Sequence, residues 1–420
     1  PYDSVEPRRG GMVNSGFHDE INDIVASRTD ELVEMLRSFI SVSSENPPGT
    51  GLREAQDWIV DRLSTYGIPY EIHDTARGGT DHAVIIGRVG NGGEPFLYMH
   101  GHYDVVPAFS PEQFHPRISD GSVYGRGASD MKSGVVAMLL ATVVHRDLGG
   151  AGQVRLVYVP DEETGGADGS ERMSDLGLVD PIGCLGAIVG EPSYPDIWYA
   201  ARGAFTVKVT VNGKPAHVGL HYTGVNAFEH AHRVVSRLRS WRDTVASHKT
   251  DFRIEPEAAR ASIALIGGVS GGGTNFNIVP DEFSFTIDRR PNPDEDYDEV
   301  RQDLLDLLDE LAEEDELRVE VLQDARPAST PPDHDLVNVL QGNIARVRGR
   351  HASLSMCPGC LETRIYSQHG IPALAYGPGP TSAMHAPEEH VPTSNLVEAC
   401  AVYASVLGDT LGYGPERPTS

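Results

Sequence analysis

Five acidic or histidine residues, each at the end of a predicted strand or in a turn, are the part of the sequence best suited to chemistry. They are His102 in HGHYDVVP, Asp130 in GRGASDMKSG, Glu163 in PDEETGG, Glu191 in VGEPS and His385 in AMHAPEEH. Zinc accepts this mixture of imidazole and carboxylate, and a catalytic zinc site keeps one position open for water. Each residue alone has a plainer interpretation, because a single histidine at a strand end is more often structural and a glutamate in a loop is more often solvated.

The elements that must position these residues follow an alternating pattern. Helical spacing of apolar residues predicts helices over 17–40, 52–66 and about 131–146, and apolar runs predict strands at 82–89, 95–100, 154–160 and 185–189. Strands that alternate with helices imply an α/β sheet with helices on its faces. The last two strands stop just before Asp161-Glu162-Glu163 and Glu191, where active groups are expected in an open α/β sheet.

Near residue 202 the pattern changes, because 205–213 alternates strictly between apolar and polar residues. The following elements are a helix, two strands, an acidic helix and a strand, at about 224–246, 261–267, 278–289, 294–314 and 317–323. This β-α-β-β-α-β order forms a two-layer unit of its own. We therefore predict that an inserted domain at 202–326 divides a catalytic domain into 1–201 and 327–420, as the length of 420 residues permits. In the acidic helix, five leucines form one apolar stripe, which predicts a packed helix with a wet acidic face rather than a metal or interaction site.

Composition excludes several classes of partner. A net charge of −27 disfavours nucleic acid and anionic membrane surfaces, and no apolar run approaches the ~20 residues that span a bilayer. The N-terminal stretch has two arginines with no apolar segment after them, so it does not resemble a secretory signal, and we expect a soluble cytoplasmic protein.

Four cysteines are too few for a disulfide scaffold. Cys357 and Cys360 form a C-x-x-C motif that is compatible with a redox pair or half a zinc site, although packing near a turn is favoured.

The motifs occur in a fixed order along the chain: H-x-D at His102, G-R-G-x-x-D-M-K ending at Lys132, D-E-E at 161–163, G-E-P at Glu191 and H-x-P-x-E at His385. In this combination, the sequence resembles the metal-dependent aminoacylase and carboxypeptidase family, which includes succinyl-diaminopimelate desuccinylase, acetylornithine deacetylase and glutamate carboxypeptidase. The resemblance covers most of the chain. It implies an α/β di-zinc peptidase-type catalytic domain, with a mixed sheet and helices on both faces, and an inserted two-layer α+β satellite domain used for dimerisation.

The resemblance also implies a role for each metal-site residue. Two divalent metal ions, zinc with cobalt or manganese as alternatives, would share Asp130. His102 and Glu191 would complete one ion's ligands, and Glu163 and His385 the other's. Glu162 would be the general base for a metal-bound hydroxide, and Asp104 would hold the second ring nitrogen of His102. His100 is the competing ligand, but His102 has the H-x-D spacing, so His100 is interpreted as a strand-end residue.

Four residues are expected to contact the substrate. By resemblance, His217 in PAHVG would reach the active site of the partner subunit in a homodimer and stabilise the oxyanion, although a surface turn is its plainer interpretation. Asn277 and Arg290 match positions that bind the substrate backbone or carboxylate, a task that suits the planar fork of arginine. Alternation would point Arg289 to the opposite face. Arg364 matches a carboxylate-binding arginine of the desuccinylase branch.

Together these features predict a hydrolase that cleaves the amide bond of an N-acyl amino acid. A carboxypeptidase or dipeptidase acting on a short peptide is the main alternative. A catalytically silent binding member and a cysteine-dependent redox enzyme are further alternatives. The stretch from Cys357 to Pro380 departs from the Gly, Thr/Ser and Asp run that shapes the acyl pocket in many relatives, so the acyl group stays open.

Overall fold

The computed structural model describes residues 15–76, 81–90, 93–313 and 316–413. The N-terminal stretch used for the prediction about a secretory signal lies outside these ranges. Within them, no disulfide links any of the four cysteines, and no helix is long and apolar enough to cross a membrane.

The described residues form two compact units. Unit 1 takes in the residues up to Tyr199, Thr330–Leu354 and the residues from Ile365 onwards, and unit 2 takes in Ala200–Ser329 and Ser355–Arg364. Ser355–Arg364 belongs to unit 2 because its backbone bonds there: Met356 N–H donates to Arg253 O at 2.7 Å and Arg202 N–H to Gly359 O at 3.0 Å. The predicted domain boundaries placed this segment with the catalytic domain.

The helices are α1 Ser15–Ser27, α2 Thr29–Ile40, α3 Leu52–Thr65, α4 Lys132–Asp147, α5 Ser170–Asp175, α6 Ala227–Ser247, α7 Tyr297–Ala312, α8 Asp335–Arg348, α9 Thr363–Gln368 and α10 Thr393–Leu411. The strands are β1 Tyr70–Asp74, β2 Ala83–Val89, β3 Phe96–His102, β4 Arg117–Ser119, β5 Ser122–Tyr124, β6 Gln153–Val159, β7 Cys184–Val189, β8 Ile197–Ala201, β9 Ala204–Asn212, β10 Ile263–Gly272, β11 Glu282–Arg290, β12 Leu317–Ala325, β13 Ala328–Ser329, β14 Leu354–Cys357, β15 Ala373–Ala375 and β16 His390–Pro392.

The large sheet of unit 1 runs in the order β1-β2-β6-β3-β7-β15-β8. Its centre is parallel, because β3 pairs in parallel with β6 and β7, and β7 pairs in parallel with β15. The flanking pairs β1–β2, β2–β6 and β15–β8 are antiparallel. Every residue of β3 and β6 is buried, which explains why these strands are mostly apolar in sequence instead of alternating between apolar and polar residues. This mixed sheet with packed helices confirms the predicted α/β class.

The register of the parallel strands brings their carboxyl ends to one edge of the sheet. His102 at the end of β3 pairs with Val159 at the end of β6, and Val189 at the end of β7 pairs with Ala375 at the end of β15. The segments that follow β3, β6 and β7 carry Asp104, Glu162–Glu163 and Glu191, so the topology delivers these acidic groups to one place.

Unit 2 contains a four-stranded antiparallel sheet in the order β10-β11-β9-β12 and the helices α6 and α7. Alternate residues of β9 and β11 point into a core against these helices, among them Val207, Val209 and Phe285. In α7, Leu304, Leu308 and Leu311 are buried, and Leu305 and Leu307 pack partly buried against the same core. The acidic helix is therefore a packed element with a solvated acidic face, as predicted.

The predicted helix over 17–40 is wrong as one element, because α1 and α2 are separate. The sequence between them is polar, and two hydroxyls bond backward: Ser27 Oγ donates to Ile24 O at 2.7 Å and Thr29 Oγ1 to Ala26 O at 2.8 Å. Such local bonds compete with helix continuation. Arg28 lies at the break with φ −103° and ψ 17°, and Asp30 and Glu31 then favour a new helix start.

Candidate active site

His102 is the last residue of β3, and its imidazole is completely buried. Nδ1 lies 3.0 Å from Asp104 O and 3.4 Å from Asp104 Oδ1. Nε2 lies 3.1 Å from Asp130 Oδ1 and 3.8 Å from Glu191 Oε1. Asp104 therefore occupies one ring nitrogen, and the other nitrogen faces the acidic cluster.

The carboxylate of Asp130 lies between two imidazoles. Its Oδ1 faces His102, and its Oδ2 is 3.2 Å from His385 Nε2, which is also 3.2 Å from Glu163 Oε2. Donor atoms of His102, Asp130 and Glu163 all lie within 4.8 Å of one another, a spacing compatible with a shared metal ion. The structure thus brings together all five residues that the sequence singled out.

The carboxylates of this cluster carry negative charge that needs cations nearby. Burial raises the pKa of Glu163, and neighbouring Asp130 raises it further. Asp130 and then Glu163 raise the pKa of His385 to about 10. Burial acts to lower the pKa of His102, but its bonds with Asp104 and Asp130 outweigh burial and hold that pKa well above its usual range. Three buried carboxylates, from Asp130, Glu163 and Glu191, need positive charge, and two imidazoles with three carboxylates are donors that a pair of divalent ions would satisfy.

The turn that carries Glu162 and Glu163 is fixed by the carboxylate of Asp104. Oδ1 accepts the Glu162 N–H and Oδ2 accepts the Glu163 N–H, each at 3.2 Å. Asp161, which precedes the turn, has φ 71°, a left-handed conformation that non-glycine residues seldom adopt outside special sites. Asp104 therefore holds both the His102 ring and the Glu162–Glu163 turn, a second contact that the H-x-D spacing did not indicate.

Asn46 is a site residue that the sequence analysis missed. Its side chain is buried, and Nδ2 lies 3.2 Å from Asp104 Oδ2, 2.9 Å from Asp161 Oδ1 and 3.3 Å from Thr164 Oγ1. The amide separates two buried carboxylates that would otherwise repel each other. Asn46 precedes two prolines, a pattern that indicates only a loop, so the sequence carried no signal for this contact.

The interpretation of His100 as a strand-end residue is wrong. It lies inside β3, which continues to His102, and its buried Nδ1 is 2.8 Å from the Tyr366 hydroxyl. The strand ends two residues later than predicted because Gly101 and His102 stay paired with β6.

In unit 2, the structure places His217 next to Asn277. His217 lies beyond the end of β9, at the start of the short 3₁₀ segment Val218–Thr223, and is exposed. Its Nδ1 accepts the Gly219 N–H at 3.1 Å. The adjoining Val218 N–H donates to Asn277 O at 2.9 Å. Asn277 Oδ1 is buried without a hydrogen-bond partner among the described residues, so this amide has an unused acceptor.

The two arginines that end β11 differ in environment. Arg289 is buried and paired with Glu295, whereas Arg290 is partly exposed and donates from Nε to Asp288 Oδ2 at 2.9 Å. Arg364 also lies in unit 2, where it is buried and donates from Nη1 to Leu361 O at 3.4 Å. Cys357 is buried, and its sulfur accepts the Gly359 N–H at 3.3 Å, as expected for packing near a turn.

Comparison with known proteins adds an independent result. A family model described as peptidase family M20/M25/M40 matches residues 98–409. The chain belongs to this family. A succinyl-diaminopimelate desuccinylase of Roseobacter denitrificans is 29% identical over 393 residues, which are 90% of this chain and 98% of the relative. These matches confirm a hydrolytic enzyme of the predicted metal-dependent family.

Solved structures share the fold at low identity. The Saccharomyces cerevisiae di-peptidase Dug1p has a TM-score of 0.76 at 16% identity, with 96% of this chain and 100% of that chain covered. A Bacillus subtilis protein described as a dinuclear metal binding peptidase of the M20 family has a TM-score of 0.65 at 16% identity, with 93% and 100% covered. Over more than nine-tenths of its length, the chain therefore has the fold of these peptidases.

Replacing Asn46 by alanine should weaken metal binding at the acidic cluster. Without the amide, Asp104 and Asp161 repel each other, and the turn that carries Glu163 loses its contact with Asn46 at Thr164. Loss of an outer contact of this kind costs roughly 10- to 100-fold in metal affinity. A matched control is Asn343→Ala in α8, since Asn343 is also buried and donates to Val339 O and Asp409. Competition titration with a chromophoric chelator checks this. Equal metal affinity in both variants would show that Asn46 has no role in the cluster.

Proposed function

We propose that the protein hydrolyses the amide bond of an N-acyl amino acid at a two-metal centre in unit 1. The observation that carries this proposal is the position of the Asp130 carboxylate between His102 Nε2 and His385 Nε2, at 3.1 and 3.2 Å. With one oxygen directed to each imidazole, Asp130 would be the ligand shared by the two ions.

The remaining donors divide between the two ions. His102 with Glu191 would hold one, and Glu163 with His385 the other. Zinc is the ion we propose, with cobalt and manganese as alternatives that the same donors accept. When bound, the ions would acidify a water molecule and polarise the substrate carbonyl.

Glu162 is the proposed general base. Its carboxylate takes the proton of the attacking water and returns a proton to the nitrogen of the departing amine. Glu162 is only partly buried and shares a turn with Glu163, so the Asp104 bonds that fix this turn also position the base beside a ligand. A catalytically silent binding protein would have no need of this carboxylate.

The substrate proposal rests on unit 2 and on the relatives. Arg290, partly exposed at the end of β11, and Asn277, with its unused acceptor, are proposed to bind the carboxylate and backbone of the amino-acid part. Arg364 is proposed as a further carboxylate contact. The relatives named as desuccinylases favour an N-acyl amino acid, and the structural neighbours named as dipeptidases favour a short peptide as the second candidate. Both substrates place a free carboxylate near the scissile amide.

We also propose that unit 2 forms a homodimer in which His217 stabilises the oxyanion at the partner's site. Among the described residues, twelve of the nineteen exposed large apolar side chains lie in unit 2, including Phe276 at 97% exposure and Tyr222 at 75%. The edge strand β10 adds Leu265 and Val269. Such apolar surface and an open sheet edge are typical of a surface covered by another chain. A cytoplasmic location is part of the proposal, and four cysteines without a disulfide among the described residues support it.

Glu162→Gln should abolish turnover without removing metal. General acid-base groups contribute about 10²- to 10⁴-fold, so kcat should fall by that factor while metal content stays at about two ions per chain. The assay screens N-acetyl, N-succinyl and N-carbamoyl amino acids and dipeptides. Glu388→Gln is the matched control, because Glu388 is an exposed carboxylate paired with Arg117. Wild-type activity that survives chelation but not thiol alkylation would contradict the metal mechanism and favour a cysteine-dependent enzyme.

Metal binding should release protons and strengthen as pH rises. The pKa of His385 is raised to about 10, so the imidazole is protonated at neutral pH in protein stripped of metal, and only the neutral ring binds an ion. Apparent affinity should therefore increase by nearly tenfold per pH unit for each proton displaced between pH 6 and 9. Calorimetry in buffers of different ionisation enthalpy counts the protons. His351→Asn, at an exposed position, is the control. An affinity that is independent of pH would count against His385 as a ligand.

Mixed dimers test the shared site. His217→Ala and Glu162→Gln should each be inactive, but a heterodimer of the two rebuilds one complete site from Glu162 of one protomer and His217 of its partner. Random mixing should therefore restore roughly a quarter of wild-type activity. Sedimentation analysis establishes the dimer first. If mixing restores nothing, His217 does not act across subunits.

A further inference from the structure

Glu389 is a fully buried carboxylate four residues after His385, and the mechanism above does not use it. Its Oε1 accepts three backbone N–H groups, from Gly127 at 3.1 Å and from Ser129 and Asp130 at 3.0 Å each. These three donors belong to the loop that ends at Asp130. One carboxylate oxygen therefore shapes the backbone of the loop that presents the proposed bridging ligand.

The second oxygen of Glu389 pairs with Arg126, which belongs to the same loop. Both side chains are 1% exposed, and Arg126 Nη2 also donates to Pro107 O at 3.3 Å. Hydrogen bonds that involve a charge on one or both sides are shorter and stronger than neutral ones. Burial raises the pKa of Glu389, and Arg126 opposes this effect. The loop thus encloses an ion pair that water does not reach.

Further contacts join the same two segments. Gln113 Nε2 donates to Ala386 O at 3.2 Å and Pro387 O at 3.0 Å, and Gln113 O accepts the Arg126 N–H at 2.9 Å. The strands β5 and β16, which flank the two segments, pair in a small antiparallel sheet. The loop that presents Asp130 and the segment that presents His385 are therefore held as one rigid body around Glu389.

The sequence contained a signal for this arrangement that spacing alone did not reveal. Arg126 is the arginine of the G-R-G motif, and Glu389 is the last residue of the H-x-P-x-E motif. The two motifs lie about 260 positions apart in the chain, and they meet through this ion pair. Each motif contributes one metal-site residue and one member of the pair.

We propose that Glu389 is a positioning residue of the metal centre, which sets the separation between the Asp130 carboxylate and the His385 imidazole. The inference rests on the proposed metal-binding roles of these two residues. Because Asp130 Oδ2 and His385 Nε2 are 3.2 Å apart, a small displacement of either segment separates two donors of the same ion. The ion held by Glu163 and His385 should therefore be weakened more than the ion held by His102 and Glu191, whose other donors follow β3 and β7.

The test compares two substitutions that leave a buried arginine without its carboxylate. Glu389→Gln keeps an oxygen that accepts the three N–H groups and places an amide against Arg126. Glu295→Gln is the matched control in unit 2, where Glu295 pairs with buried Arg289 and accepts the Asn292 N–H at 2.7 Å. Both variants should unfold at lower denaturant concentration than wild type when stripped of metal.

Metal binding is then titrated with Co²⁺ in competition with a chromophoric chelator, and the visible spectrum of bound Co²⁺ is recorded. In Glu389→Gln, the ion held by Glu163 and His385 should bind about 10- to 100-fold less tightly than in wild type. The visible spectrum of the bound Co²⁺ should also change. Glu295→Gln should bind both ions as wild type does. Glu389→Asp, which keeps the charge but is one methylene shorter, should recover part of the lost affinity.

The outcomes separate the inference from the proposal beneath it. Wild-type protein that binds fewer than about one ion per chain would overturn the two-metal proposal itself. Wild type with two ions, together with Glu389→Gln that binds both equally tightly and with an unchanged spectrum, would overturn the positioning role alone. Should Glu389→Gln not fold, Arg126→Lys keeps the positive charge and removes the guanidinium fork. The same titration on that variant should show the weakened second ion, and unaltered binding would contradict the inference.

Discussion

The position of the Asp130 carboxylate, between two imidazoles and beside two further buried carboxylates, is the constraint on which much of unit 1 depends. Negative charge gathered away from water is costly unless cations and hydrogen-bond donors surround it. The protein surrounds it with both. Asp104 and Asn46 order the groups on the β3 and β6 side, and Glu389 with Arg126 orders the loop of Asp130. These surrounding residues carry charged or amide side chains. The polar cluster of unit 1 is therefore enclosed by a second layer of polar groups that bond to it.

The topology of the large sheet brings several of these groups together on short connecting segments. Parallel strands send their carboxyl ends to one edge, and the segments after β3, β6 and β7 reach Asp104, Glu163 and Glu191 within two to four residues. Two of the proposed metal ligands lie on segments outside the large sheet. Asp130 precedes α4, and His385 has φ 57° in a turn before β16. Neither position is fixed by the register of the central strands. This explains why their alignment depends on a separate ion pair and on the small sheet of β5 and β16.

The sequence predicted what is local and periodic. The largely apolar runs of β3, β6 and β7 and the leucine stripe of α7 could be predicted because burial selects apolar residues along a covered strand and on one stripe of a packed helix. The clustering of the five residues proposed as metal ligands could be predicted because each follows a strand or lies in a motif. Asn46 was not readable, since a buried amide between two carboxylates is defined only by chain segments about 58 and 115 positions away. The break at Arg28 was missed because the helical spacing of apolar residues continues across it. The helix is interrupted there by local hydroxyl bonds to the backbone, which the apolar spacing does not reveal.

Unit 2 poses a different physical problem from unit 1, because Arg290, the arginine proposed to bind a substrate carboxylate, already has an acidic partner. In unit 2, Arg290 already has a partner in Asp288, so a substrate carboxylate must compete with that pair or join it. A competing carboxylate gains little if Asp288 stays in place, since two acids then share one guanidinium. The Thr206 hydroxyl donates to Asp288 Oδ1 at 2.9 Å, so Asp288 keeps a hydrogen bond if Arg290 turns away from it. Under the proposed role of Arg290, the Thr206–Asp288–Arg290 row would therefore govern how readily this arginine exchanges Asp288 for a substrate carboxylate.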